Sequence, residues 1–337
     1  MHAKRHSFAI CPTHATLQCM AAACAPSSQP SCSVEREYHA SPWESDWLRL
    51  VATHRADSTW RRPRRWWGCK ELQRNQSRID VWLGLVQQRL RAARSSWRAD
   101  EGMSYHVFRD GCTCRETVVP IEPLVSFLRH PHAICIDRSG GSWPSILSTD
   151  YLLPMQRKEA VGGRRLFFDL GAGLYRNGNG DSLEWLSKTY ARQGLPFDRV
   201  FAWEAQPQSG VDVMRGVPAA IVDALSYFNV PVDPHPGAAH NPLRVMRAVA
   251  RQGDFVVLKL DVDNCTVERQ LLRQIMRSDA LSSMISELYF EHHVVDSPMN
   301  AHSWKLEREP ECDESLADSY RLFGQLRARG IRAHSWV

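Results

Sequence analysis

The hydrophobic pattern changes character near residue 160, and regular elements are readable only beyond that point. Leu166-Phe167-Phe168-Asp169-Leu170 is a short apolar run without alternation, the mark of a strand buried on both faces. Gly171-Ala172-Gly173 follows it as a turn. Asp181, Ser182 and Glu184 open a helix with an acid at the cap, Leu183, Leu186 and Tyr190 give it an apolar face, and Gly194 ends it. Val200-Phe201-Ala202-Trp203 predicts a second buried strand, closed by Glu204. Val217-Pro218 predicts a helix carrying Ile221, Val222, Leu225 and Phe228, and Asn241-Pro242 another carrying Val245, Met246 and Val249. Phe255 to Leu260 is a third strand ending in Asp261, and a helix over 265–277 places Val267, Leu271 and Ile275 on one face. Ile285 to Phe290 is a fourth strand ending in Glu291-His292-His293. A helix over 315–329 stops at Gly330, and Ile331 to Val337 alternates as a terminal strand.

Strands alternating with helices specify right-handed crossovers and a parallel sheet covered on both faces. The expected fold class is therefore α/β, a Rossmann-like, doubly wound, mostly parallel sheet with an irregular, partly helical N-terminal extension. Four stretches are expected: 1–40, a disordered tail or transit segment; 41–100, a Trp/Arg-rich flank; 101–158, a cap or extension; and 159–337, the sheet domain. Within the flank, Val81, Trp82, Leu85, Val86, Leu90 and Ala93 recur at helical spacing, so 79–96 reads as an amphipathic helix. Farther on, Val118 to Leu128 reads as a strand edge leading into a short helix before His130-Pro131.

Composition sharpens this outline in two places. The 337 residues are 43% hydrophobic and 23% charged, which excludes a wholly disordered, collagen-like or coiled-coil chain. No apolar stretch approaches the ~18–20 residues of a membrane span. The net charge of +5 is concentrated in residues 41–100, where thirteen Lys or Arg face six Asp or Glu and seven of the twelve tryptophans lie. In Trp60-Arg61-Arg62-Pro63-Arg64-Arg65-Trp66-Trp67, arginines interleaved with aromatics could meet phosphates and bases or an anionic membrane surface. The plainer reading is a connector whose tryptophans fold back onto the main domain. The acid-poor start suits a transit peptide or a tail, and a cytoplasmic chain is expected. Ten cysteines show no zinc-knuckle spacing, Cys112-Thr113-Cys114 included, so reduced thiols are expected.

The chemistry is expected where the strands end. Parallel sheets bind ligands beyond the carboxyl ends of their strands, at the point where strand order reverses. Asp169 with Gly171 and Gly173, then Glu204, then Asp261-Val262-Asp263-Asn264, then Glu291-His292-His293 all fall there. A glycine turn lets the backbone approach a ligand, and an acid ending the next strand can accept from both ribose hydroxyls. Together they describe an adenosine site. A dinucleotide fingerprint would place its third glycine at 176, where Arg176 stands, which argues against NAD or FAD.

"FFDLGAG", "VFAWEA" and "DFVVLKLDVDN", taken in order, resemble a class I S-adenosylmethionine-dependent methyltransferase. More narrowly, "FVVLKLDVDN" and "ELYFEHHV" are similar to the FkbM-type methyltransferases. The likeness covers about 160–337. It implies that Asp169, Gly171 and Gly173 lie beside the methionine part of the cofactor and that Glu204 binds the ribose. Lys259 and Asp261 match a Lys-x-Asp strand ending near the transferring methyl, continued here by Asp263-Asn264 where family members often carry Glu-Gly. The implied reaction is O-methylation of a small-molecule, sugar or other hydroxyl acceptor. Asp261 or His292 is the expected base, with Lys259 as a carboxylate partner or substrate anchor. Asp261, Asp263, Asn264 and Glu291 could instead hold Mg²⁺. A small-molecule or glycan partner is expected, with nucleic acid disfavoured. The alternative is a non-catalytic relative that keeps the sheet and uses the Trp/Arg flank to contact nucleic acid or a protein.

Overall fold

The computed structural model describes residues 34–54, 67–91, 102–110, 115–132, 147–156, 163–176, 182–297, 299 and 311–337. Two sheets share them. A six-stranded sheet is built from β4 (Arg165–Leu170), β5 (Arg199–Trp203), β6 (Leu225–Phe228), β7 (Phe255–Leu260), β8 (Glu287–Phe290) and β9 (Arg332–Ser335). Its order is β6-β5-β4-β7-β8-β9, and every neighbouring pair is parallel. Strand order therefore reverses between β4 and β7, which places a crevice beyond Leu170 and Leu260. The architecture is a mixed α/β fold of Rossmann-like type. The central strands β4 and β7 are buried almost throughout, as their unbroken apolar runs require.

Helices connect these strands. α4 (Ser182–Arg192) follows β4, α5 (Gly210–Met214) and α6 (Ala219–Val222) follow β5, and α7 (Pro242–Val249) precedes β7. α8 (Cys265–Arg277) and α9 (Asp279–Met284) lie between β7 and β8, and α10 (Leu316–Ala328) precedes β9. Asn241 and Asn264 cap α7 and α8 by accepting from Arg244 and Val267 backbone N–H groups. Ser315 and Asp318 form a reciprocal capping box on α10.

The N-terminal region is part of the same core. β1 (Val34–His39), β2 (Ser104–Asp110) and β3 (Glu116–Ile121) form an antiparallel sheet in that order. α1 (Pro42–His54) starts with Pro42 in its first turn, and Ser41 Oγ accepts from Glu44 N at 3.1 Å. α2 (Trp67–Arg74) and α3 (Gln76–Arg91) follow. Trp43, Trp47 and Trp82 are fully buried in a hydrophobic core continuous with that of the parallel sheet. Trp47 Nε1 donates to Tyr320 Oη of α10 at 2.9 Å, and Trp82 Nε1 donates to the Tyr151 carbonyl at 2.8 Å.

Several expectations are corrected. β1 begins within the stretch expected to be a tail or transit segment. Leu225 and Phe228 lie on a strand instead of continuing the helix from Pro218, since α6 ends at Val222 and the aromatic-rich segment joins β5 as an edge strand. Residues 122–130 form no helix, because Ser126 and Leu128 adopt positive φ values of 62° and 57°, which an α-helix cannot contain. α3 ends at Arg91, and residues 92–96 of the expected helix lie outside the described residues, as do 1–33, Arg61 to Trp66 and Cys112-Thr113-Cys114. The expectation of reduced thiols is overturned: Cys265 and Cys312 form a disulfide, and Cys69 is disulfide-bonded too. No helix among the described residues is long and apolar enough to cross a membrane.

Candidate functional site

The crevice is shaped by a contact that only glycine permits. Gly171 has φ +79°, and a Cβ there would lie 1.7 Å from the Asp261 carbonyl oxygen. The backbone leaving β4 is thereby pressed against the backbone leaving β7, and Asp261 N donates to the Leu170 carbonyl at 3.1 Å. Gly173 also has positive φ, at 57°. Its N–H donates to Glu204 Oε2 at 2.9 Å, while Glu204 Oε1 accepts from Gln206 N at 2.7 Å. Tyr227 Oη donates to the Gly173 carbonyl at 2.7 Å. The glycine turn is thus held from β5 and β6, with the half-buried Glu204 carboxylate at its lip.

Beneath the turn lies a charged cluster. Asp169 and Lys259 are register partners across β4 and β7. Lys259 Nζ sits 3.8 Å from Asp169 Oδ1 and 2.9 Å from Asp261 Oδ2, and donates to the Gly171 carbonyl at 2.8 Å. Burial lowers the ammonium pKa, but Asp261, Asp169 and Glu291 outweigh it, so the charge is retained. Asp169 is fully buried and accepts from Ser182 Oγ at 3.0 and 2.9 Å. Burial pushes its carboxyl up against the opposing pull of Lys259. Asp261 is pushed up to about 7, first by burial and then by Glu291 and Asp263, with Lys259 opposing. It therefore changes charge near neutrality.

The end of β8 divides its residues between two sides. His292 points toward α10, where Nε2 meets Glu314 Oε2 at 2.9 Å and Nδ1 meets Ser319 Oγ at 3.0 Å. Both of its ring nitrogens are engaged away from Asp261 and Lys259. His293 instead faces Glu291 Oε2 at 3.4 Å and Asp263 Oδ1 at 3.8 Å. Burial lowers its pKa, but these carboxylates and Glu268 raise it to about 9, which makes it an imidazolium at neutral pH. Arg129, buried in the segment after β3, donates to Glu291 Oε1 at 3.0 Å.

The structure thus brings together Asp169, Gly171, Gly173, Glu204, Lys259 and Asp261, and sets His292 apart. Of the groups considered for Mg²⁺, Asn264 Oδ1 is occupied by capping α8 and Asp261 is tied to Lys259. Asp263, Glu291 and His293 offer donor atoms within 4.8 Å of one another, and imidazole suits transition metals better than Mg²⁺. Sequence reasoning missed Arg129, Tyr227 and Glu268. Glu268 is buried, accepts from Val262 N at 3.0 Å, and is pushed up to about 8, chiefly by burial. Its signal was available: with Cys265, Leu272 and Ile275 it lies on the inner stripe of α8. Arg129 carried none, because a residue outside regular structure has no periodicity to place it.

Set beside known proteins, the chain matches no family model, no curated protein and no solved structure.

Proposed function

We propose that the protein is an S-adenosylmethionine-dependent methyltransferase acting on a hydroxyl group of a small molecule or sugar. The observation that carries this reading is the Glu204–Gly173 contact at the switch point of the parallel sheet. It sets a carboxylate with spare acceptor capacity at the lip of a glycine turn, where a ribose would be read. The residues fit an adenosine group without a pyrophosphate. The turn lacks the third glycine of a dinucleotide site, with Arg176 in its place, paired to Glu184 at 2.8 Å.

S-adenosylmethionine, when bound, would supply a methyl group on an electrophilic sulfonium. The protein's part is to hold an acceptor oxygen in line and remove its proton. Asp261 suits the second task, since a carboxyl near neutrality is both available as a base and basic enough to be useful. Lys259 fixes its orientation and limits the rise in its pKa. His293, held cationic by Glu291 and Asp263, serves as a hydrogen-bond donor. His292 supports the wall through Glu314 and Ser319.

The test is calorimetric titration of S-adenosylhomocysteine into the full chain and its Glu204→Ala variant. Micromolar binding that weakens at least about tenfold in the variant, the loss of one or more charge-assisted hydrogen bonds, is expected. A folded parent that does not bind would overturn the reading.

A further inference from the structure

Cys265, His293 and Cys312 come from three separate segments, yet each offers a donor atom within 4.8 Å of the others. All three are buried. Two thiols and an imidazole form a donor set suited to Zn²⁺ and related transition ions, distinct from the oxygen-rich sets that suit Mg²⁺ or Ca²⁺. In the present state the two sulfurs are joined as a disulfide, with their Cα atoms 5.5 Å apart.

The surrounding contacts hold the pair together independently of that bond. Arg269 of α8 is paired with Asp313, and its Nε donates to Glu314 Oε2 at 3.0 Å. Glu314 also meets His292 at 2.9 Å, and its carbonyl accepts from Val295 N at 2.9 Å. The residues immediately after Cys312 are thus fastened both to the helix that begins at Cys265 and to the strand end that carries His293. Cys265 is the first residue of a thirteen-residue helix, where the helix dipole favours a thiolate. Reduction would leave two neighbouring thiols beside an imidazole in a frame that other contacts maintain.

We propose that Cys265, Cys312 and His293 form a zinc site when the disulfide is reduced, so that disulfide and metal are alternative occupants of one position. The proposal does not rest on the methyl-transfer reading, although it shares His293 with that site. Asp263 and Glu291, at 3.8 and 3.4 Å from His293 Nε2, flank the imidazole. Reduction by a trialkylphosphine proceeds with water. The phosphorus takes the oxygen and loses two electrons, the S–S bond breaks, and the two hydrogens end on the two thiols. Binding of the divalent ion then displaces both thiol protons and the His293 imidazolium proton to solvent.

Titration of Co²⁺ into the phosphine-reduced full chain tests this, because Co²⁺ takes zinc's place and reports sulfur ligation by a charge-transfer band and tetrahedral geometry by its d–d bands. One equivalent bound with both signatures, and displaced by Zn²⁺, is expected. Cys265→Ser and Cys312→Ser should each weaken binding at least about tenfold and diminish the charge-transfer band, while His293→Gln weakens binding and retains that band. Cys69→Ser should leave the titration unchanged. Circular dichroism of each reduced protein confirms that the fold persists. A folded, reduced parent that binds no Co²⁺ would overturn the proposal, as would a signal that survives in both Cys265→Ser and Cys312→Ser.

Discussion

Glu287 and Arg332 stand opposite each other in the parallel β8–β9 pair, with Arg332 Nε donating to Glu287 Oε1 at 2.8 Å and neither side chain exposed. Glu287 also meets His334 Nε2 at 3.0 Å, Tyr190 Oη and the Met155 backbone N–H. Arg332 reaches the carbonyls of Pro120 and Leu153. One ion pair therefore connects the edge of the parallel sheet to the end of β3 and the segment after it. A buried pair is costly to desolvate but worse to halve, because the survivor is left charged without a partner. Glu287→Gln is expected to cost about 3–5 kcal/mol in urea unfolding. Replacing both residues by apolar ones should cost less than the two single changes added together.

Gly171→Ala should be more disruptive than its size suggests. The added methyl would meet the Asp261 carbonyl in backbone that alanine already finds strained. Loss of at least about 2 kcal/mol of stability is expected, together with loss of S-adenosylhomocysteine binding. Gly84→Ala, at a helical position where a methyl meets nothing, is the control and should stabilise by about 0.5–1 kcal/mol.

Stability should fall on the alkaline side of neutrality. Asp261, Glu268 and His293 have native pKa values raised from 3.8, 4.5 and 6.5 to about 7, 8 and 9. Each contributes stability fully present below its unfolded value and lost as pH rises through its native one. Burial drives the two acids upward, whereas carboxylates overcome burial at His293. Glu287 runs the other way: Arg332, His334 and Tyr190 outweigh its burial and hold it at about 2, so its contribution disappears only as pH falls through that value. Thermal unfolding is expected to show Tm declining from about pH 7 toward about pH 9. Glu268→Gln keeps the acceptor for Val262 N and should flatten the alkaline decline.

The N-terminal flank should prove inseparable from the parallel sheet. Trp47 is completely buried and bonded to Tyr320, and Glu44 accepts from Ser104 Oγ and Leu124 N while lying 3.6 Å from Arg327. Trp47→Ala is expected to cost about 3–5 kcal/mol, read as a shifted denaturant midpoint. An unchanged midpoint would show that the flank folds apart from the sheet.

The elements of the parallel sheet were readable because each carries its own periodicity. Phe255 to Leu260 is apolar at nearly every position, as burial on both faces demands, and the strand-end acids mark where each run stops. Leu225 and Phe228 were misread because i, i+3 spacing fits a helix, while pairing with β5 depends on a strand distant in sequence. Trp43, Trp47 and Trp82 fold back onto the main domain, as the plainer reading of the flank expects, but which residues they meet there depends on the tertiary structure.

In the candidate site, sequence alone determined the residue types at the strand ends: an acid near the end of β4 with glycines after it, and acids after β5, β7 and β8. Strand order then decided which of them meet. Because β4 lies against β7, Asp169 faces Lys259 and Gly171 presses on Asp261; because β8 ends at Phe290, its two histidines part, one toward Glu314 and the other toward Glu291. The joining of Cys265 to Cys312, 47 residues apart, likewise belongs to the tertiary structure. Local pattern is set by contacts a few residues away and can be read along the chain. Pairing, burial and the pKa values that follow from them depend on groups that only folding brings within a few ångströms.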